Sequence, residues 1–386
     1  MGARGLKGPA AAFLAWVLLA QGARAEEPSP ETVSAAIEKG VSWLKGRQRD
    51  DGSFGPCVGG PVGYDGEKVS SRECYALGPT AFALFTLAVC GVPKDDPVIE
   101  RGMKWLKETP GRDYGYASYE SSAISLMLTA VNGTRPPPNA KARLRSTTQK
   151  PPPGSAFTPE EWRWMHERVR HLIGPDSCFR RDGGFGYHAG KGKYADVSAT
   201  QFGILALRAA SFAGYPVEKV RSRVWRDTAE FLKEIGNGGF PYHGGHVPTR
   251  GMTAAGVSTL LVCREQLAFL NAKEPRWLED LLQGGLVFMD AAFDVRSNPS
   301  SHFHGADHYH YCHLYAIERA GVLSGRKEFG GKAWYPAGAA WLLEKQAPSG
   351  SWTDETCMDP QDTLGTCFAL LFLKRATPVI TPGSGG

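Results

Sequence analysis

Five of the chain's ten histidines, His302, His304, His308, His310 and His313, fall within twelve positions. Imidazoles so crowded are open to three kinds of chemistry. His310 and His313 stand three apart, a helical spacing that can hold a metal, with Asp307 or Cys312 near enough in sequence to add a ligand. The same rings titrate near neutrality and can act as acid and base. They can also satisfy hydrogen bonds where a helix begins beside a polar cavity, which asks least of the sequence. From His308 to Arg319 the chain reads as the opening of a helix. On it Tyr311, Tyr315 and Glu318 share one face, and His310 and His313 share the adjacent one. The acid–base candidates are therefore His308, His310, Tyr311, Tyr315 and Glu318. The metal candidates are His310 and His313, which leaves a divalent metal open without favouring it.

A second candidate lies apart from the histidines. Asp196 precedes Ser198 and an apolar run, the place of a helix N-cap, and capping alone explains an aspartate there. It also faces substrate if the helix start rims a cavity. Glu120 and Asp362 hold comparable places, so several carboxylates could ring one mouth.

The elements that position these residues repeat. Glycine–aromatic turns occur at Asp51-Gly52-Ser53-Phe54, Asp113-Tyr114-Gly115-Tyr116, Asp182-Gly183-Gly184-Phe185, Asn237-Gly238-Gly239-Phe240 and Ser349-Gly350-Ser351-Trp352. Their first residues are separated by 62, 69, 55 and 112 positions, so one repeat near 293–306 has lost its glycine turn, and the histidines occupy it. Ahead of the turns run amphipathic helices with Trp–Leu or Phe–Leu pairs, as at Trp43-Leu44, Trp105-Leu106, Phe231-Leu232 and Trp341-Leu342. After the turns run helices apolar nearly all round, the mark of burial. Outer half-wet helices alternating with inner buried ones predict an all-α fold: an α/α toroid, a double ring of about six helix pairs. An open solenoid of the tetratricopeptide kind is the rival, but its period is shorter.

The segment Gln48-Arg49-Asp50-Asp51-Gly52-Ser53-Phe54-Gly55 resembles the Q-x-x-D-G-x-F/W turn of prenyltransferase and squalene-oxidase repeats. Gln346-Ala347-Pro348-Ser349-Gly350-Ser351-Trp352 repeats it. Asp182 to Tyr187, followed by Asp196 to Gln201, is similar to a squalene-cyclase repeat passing into its inner helix. The resemblance, to the terpenoid-cyclase and protein-prenyltransferase toroid superfamily, spans 31–377. It implies a central cavity and, in cyclases, protonation by an aspartate of a D-x-D-D motif with the cation guided over aromatic faces. No D-x-D-D occurs here; the nearest residue is the single Asp196. Prenyltransferases hold zinc with a close D-x-C, whereas Asp362 and Cys367 stand five apart. The internal thioester of the α-macroglobulin toroids is excluded, since no G-C-G-E-Q occurs.

Bulk properties narrow the rest. Residues 1–25 have the layout of a secretory signal peptide: Arg4 and Lys7, an apolar run from Ala10 to Ala20, then Ala23-Arg24-Ala25. The expectation is a secreted, periplasmic or cell-envelope protein with no transmembrane helix in the mature chain. A net charge of +5 is spread over the length, and its densest basic stretch, Lys141 to Lys150, has no interleaved aromatics, so no nucleic-acid partner is expected. Eight cysteines contain no C-x-x-C, and their pairing stays open. The Pro-rich 132–160 reads as a loop insertion within a toroid of 26–377, and 378–386 as a flexible tail. The expected partner is a small hydrophobic or carbohydrate-like ligand, bound or transformed in the cavity. The alternative is a non-catalytic binding or scaffold protein of the cell envelope.

Overall fold

The computed structural model describes residues 27–55, 77–109, 117–134, 137, 139–190, 194–299, 309–355 and 362–378. The segment read as a signal peptide lies outside them, as do His302, His304, Asp307 and His308.

Among the described residues, six outer helices alternate with six inner ones. The outer set is α1 Pro30–Gly46, α3 Pro97–Glu108, α6 Pro159–Ile173, α9 Val224–Ile235, α11 Arg276–Ala292 and α13 Trp334–Lys345. The inner set is α2 Leu77–Val89, α4 Ala117–Asn132, α7 Val197–Phe212, α10 Arg250–Phe269, α12 His310–Ser324 and α14 Asp362–Lys374. Three outer helices begin alike: Ser29, Asp96 and Thr158 cap them, and a proline follows in the first turn, where its missing N–H costs nothing. Each inner helix packs on its neighbours in the order α2, α4, α7, α10, α12, α14, and α14 packs back on α2. The ring is closed, so the open solenoid is excluded.

The turns explain why the sequence repeats. In four of them the aromatic residue's N–H donates to a threonine near the start of the following inner helix: Phe54 to Thr80 at 2.9 Å, Phe185 to Thr200 at 3.0 Å, Phe240 to Thr253 at 3.0 Å and Trp352 to Thr366 at 2.9 Å. The turn glutamine reaches two carbonyls at once. Gln48 donates to Gly52 and to Val98 of the next outer helix, and Gln346 donates to Gly350 and to Ala36 of α1. At Gly350, φ is 103° and an added Cβ would stand 2.6 Å from the Lys39 carbonyl, so only glycine fits against the neighbouring helix. The threonines thus tie four turns to their inner helices, Gln48 ties the first repeat to the second, and Gln346 ties the last repeat to the first.

One expectation is corrected. Segment 132–160 is not all loop: it carries α5 Ala140–Arg145, capped by Asn139, with Arg143 buried between Gln266 and Glu218. Arg143 stacks on the Phe269 ring, which together with the ion pair fixes the insertion to the C-terminal end of the inner ring. Just before the segment read as a tail, Thr377 donates to Glu318, and the Pro378 carbonyl accepts from Arg208; residues 379–386 lie outside the described residues. A single-turn connection, α8 Val217–Val220, and a small hairpin, β1 Glu328–Phe329 with β2 Lys332–Ala333, complete the described elements. Trp334 closes the hairpin, donating to the Arg326 carbonyl. No described helix is long and apolar enough to cross a membrane.

Candidate functional site

Two residues beyond the stapling threonines, aromatic side chains point into the ring: Phe82 after Thr80, Phe202 after Thr200, and Phe368 after Thr366. They touch across the lumen, Phe82 with Phe368 at 5.0 Å between centroids, Phe82 with Phe202 at 6.2 Å, and Phe202 with Phe368 at 6.4 Å. Since α7 and α14 stand opposite in the ring, the last contact spans its diameter. Tyr315 joins at 5.8 Å from Phe368, and Tyr119 at 5.5 Å from Phe202. Contacts at equal depth across the ring require the inner helices to run side by side in one direction. The result is an aromatic floor, with the inner-helix N-termini above it.

Asp196 stands above that floor as the N-cap of α7, its Oδ1 accepting from the Ala199 N–H at 2.7 Å. Only 6 % of the residue is exposed. Burial pushes its carboxyl up to about 7, against the opposing pull of the Ala199 and Ser198 amides. Three phenols surround it. Tyr187 shares a short hydrogen bond with Tyr242 and a further one with Tyr119, and Tyr119 donates to Ser198 at 2.9 Å. Burial and the nearby carboxyl raise both Tyr119 and Tyr187 above the usual phenol range, so these hydroxyls stay protonated. The arrangement is a carboxyl that keeps its proton up to about pH 7 among neutral donors over an apolar floor. It can deliver a proton to a ligand while offering rings, not anions, to the charge that follows.

The phenols went unseen in the sequence, although a signal existed. Tyr187 and Tyr242 each follow a turn aromatic by two positions, after Phe185 and Phe240, and Asp354 holds the same place after Trp352. Asp354 is buried, and its charge raises the pKa of Tyr311 in addition to the larger effect of burial.

Of the described candidates on α12, His310, Tyr311, Tyr315 and Glu318 do not converge on Asp196. His308 lies outside the described residues, and α12 begins at His310 after a left-handed Tyr309 (φ 50°). His310 Nε2 donates to the Val295 carbonyl at 2.9 Å and His313 Nε2 to the Asp294 carbonyl at 3.2 Å. These bonds hold the loop that replaces the missing glycine turn, and His313 stands one turn into its inner helix, where four of the other repeats place threonine. Both Nε2 atoms are engaged in this way, and the two rings lie 6.0 Å apart. Among the described residues no group of three or more His, Cys, Asp or Glu is placed to hold a metal ion. Tyr311 leans on Trp341 of α13, Tyr315 joins the floor, and Glu318 turns to Thr377 at the far end. The shared face is real, but a helix climbs 1.5 Å per residue, so Tyr311 and Glu318 sit about 10 Å apart along it and serve different levels. The expected carboxylate rim does not form. Glu120 lies one turn inside α4, and Asp362 is 40 % exposed and pairs with Arg47 at 3.8 Å.

Cys90, Cys263, Cys312 and Cys367 are free thiols; Cys57, Cys74 and Cys357 lie outside the described residues.

No family model matches the chain, and no curated protein matches it. Solved structures do. The type II terpene cyclase MstE from Scytonema, without ligand, is 12% identical, covering 90% of this chain and 98% of that one at a TM-score of 0.53. A variant of MstE holding the substrate geranylgeranyl dihydroxybenzoate is 11% identical over 90% and 97%, at 0.51. Another variant, holding the product merosterolic acid A, is 12% identical over 90% and 96%, at 0.50. At such identity the likeness speaks to architecture alone. The chain therefore has an α/α toroid fold, the architecture it shares with the type II terpene cyclase MstE.

Proposed function

We propose that the toroid binds an apolar polyene in the cup above its aromatic floor and that Asp196 protonates it, starting an isomerisation or cyclisation. The observation that carries this reading is a buried carboxyl held near 7 at an inner-helix N-terminus, flanked by Tyr119, Tyr187 and Tyr242. With Oδ1 occupied by the helix amide, Oδ2 is left to carry the proton. A lone carboxyl raised by burial is a weaker acid than an ordinary one, which favours an easily protonated substrate such as an epoxide or an activated alkene. The fold's neighbour MstE binds a geranylgeranyl compound, which supports the apolar ligand; no neighbour supports the carbohydrate-like alternative. Export to the periplasm or outside the cell belongs to the same proposal and rests on residues 1–25; N-terminal sequencing of exported protein checks it.

Non-catalytic binding is the second reading, and one observation favours it: capping α7 already explains Asp196. Incubation in D2O with a geranylgeranyl probe that carries an activated alkene separates the two, because a deuteron delivered to carbon is retained, whereas one delivered to an epoxide oxygen exchanges with solvent. Catalysis gives an isomeric product with one deuterium per turnover, lost in Asp196→Asn while binding persists. Tight binding by the wild type with no product and no deuterium would sink the catalytic reading.

A further inference from the structure

The aromatic floor has a gap. On α10 the residue two beyond the stapling Thr253 is the small Ala255, where its neighbours α7 and α12 place Phe202 and Tyr315. Past that gap, Arg319 of α12 reaches to Gln201 of α7, its Nη2 donating to Gln201 Oε1. These two helices are not neighbours in the ring, so the bond runs through the lumen. The guanidinium lies 3.9 Å over the Tyr315 ring, and the residue is fully buried.

Such a charge is expensive unless paired with an anion, and this one meets neutral partners, the Gln201 amide and Tyr315. Nε and Nη1 of Arg319 have no hydrogen-bond partner, nor has Nε2 of Gln201. Among the described residues no carboxylate comes within 4.0 Å of the guanidinium. The adjacent Glu318 exerts its field, but its oxygens accept from Thr377, and Arg208 is bound to Glu265. What is left unpaired is of one kind: donors and positive charge, with no acceptor left over. The partner they lack is an anion.

We propose that Arg319 and Gln201 recognise a single carboxylate carried by the ligand, so that the toroid takes an apolar chain ending in an acid. One unpaired guanidinium balances one negative charge, which selects a carboxylate over a diphosphate. The chain lies on Phe82, Phe202 and Phe368, and the acid enters at the Ala255 gap, displacing the Tyr315 ring from the guanidinium face. This inference rests on the proposed apolar ligand, and its test keeps the two apart.

The measurement is calorimetric binding of geranylgeranoic acid, geranylgeraniol and geranylgeranyl diphosphate to the full-length mature protein. A charge-assisted pair predicts that the acid binds about tenfold or more tighter than the alcohol, and tighter than the diphosphate. In Arg319→Met the acid falls to the level of the alcohol while the alcohol is unchanged; Arg319→Lys retains part of the preference. Removing an unpaired buried charge leaves the Met variant folded, with a melting temperature no lower than wild type. Should that variant fail to fold, the wild-type ratio still decides. Equal binding of acid and alcohol overturns the carboxylate site and leaves the apolar-ligand reading standing. A preference for the diphosphate overturns the single-charge assignment. No binding of any probe overturns both.

Discussion

At the residue scale, burial sets the protonation states. Asp196 and Glu318 are both pushed up to about 7, from ordinary values of 3.8 and 4.5. The folded chain therefore keeps protons that the unfolded chain loses. The resulting stability is fully present below the ordinary carboxylate range and is lost as pH rises through 7. Urea denaturation between pH 4 and 8 should show this decline, and Asp196→Asn with Glu318→Gln should flatten it. His313 works in the opposite direction. Burial, with the field of His310, drives it down to about 3, so the unfolded state gains a proton first as pH falls below 6.5. His313→Gln should remove this acid sensitivity; an unchanged acid limb would show that the imidazole is not the group responsible. In turnover, the same Asp196 value predicts kcat/KM falling above pH 7, as the protonated acid is depleted.

At the element scale, the unit is a turn plus the threonine it touches. Losing the hydroxyl leaves a buried turn N–H without a partner, so Thr200→Val and Thr253→Val should each cost about 1–3 kcal/mol. The two sites lie in different repeats, and their effects on the denaturation midpoint should add. Thr→Ser, which keeps the acceptor, should recover most of the loss; equal losses in Ser and Val variants would point to packing instead. The fifth repeat shows that the device can be replaced. There His310 and His313 hold carbonyls of the loop after α11, performing with two imidazoles what the other repeats do with a glycine turn.

At the scale of the molecule, closure decides stability. Gln346, Gly350 and Trp352 at the chain's end grip α1 near its start, and Gly40 leaves the space that the Trp352 ring fills. Gly350→Ala would place a methyl against the Lys39 carbonyl at a φ that disfavours it, with an expected loss of at least about 2 kcal/mol. Gly133→Ala is the control: its φ of 62° carries the conformational cost, but an added Cβ meets nothing, so the loss should be smaller. If the two variants lose equally, the seam contributes nothing beyond backbone conformation.

The double ring was legible in the sequence because it is written many times over. Turn glycines, Trp–Leu pairs and apolar inner helices recur at a period that local periodicity can measure, and six repeats average out any one exception. Asp196 was legible for the same reason, since its place before Ser198 is a local capping signal. The histidine cluster was visible as composition, but composition does not say where a side chain ends. Only the tertiary structure sent Tyr311, Tyr315 and Glu318 to different depths and the imidazoles to a neighbouring loop. The bonds of the phenols around Asp196 and the Arg319–Gln201 bond join residues 79, 55 and 118 positions apart in the chain. Such contacts arise when the ring closes and brings equal depths of distant helices together, and no local pattern encodes that distance.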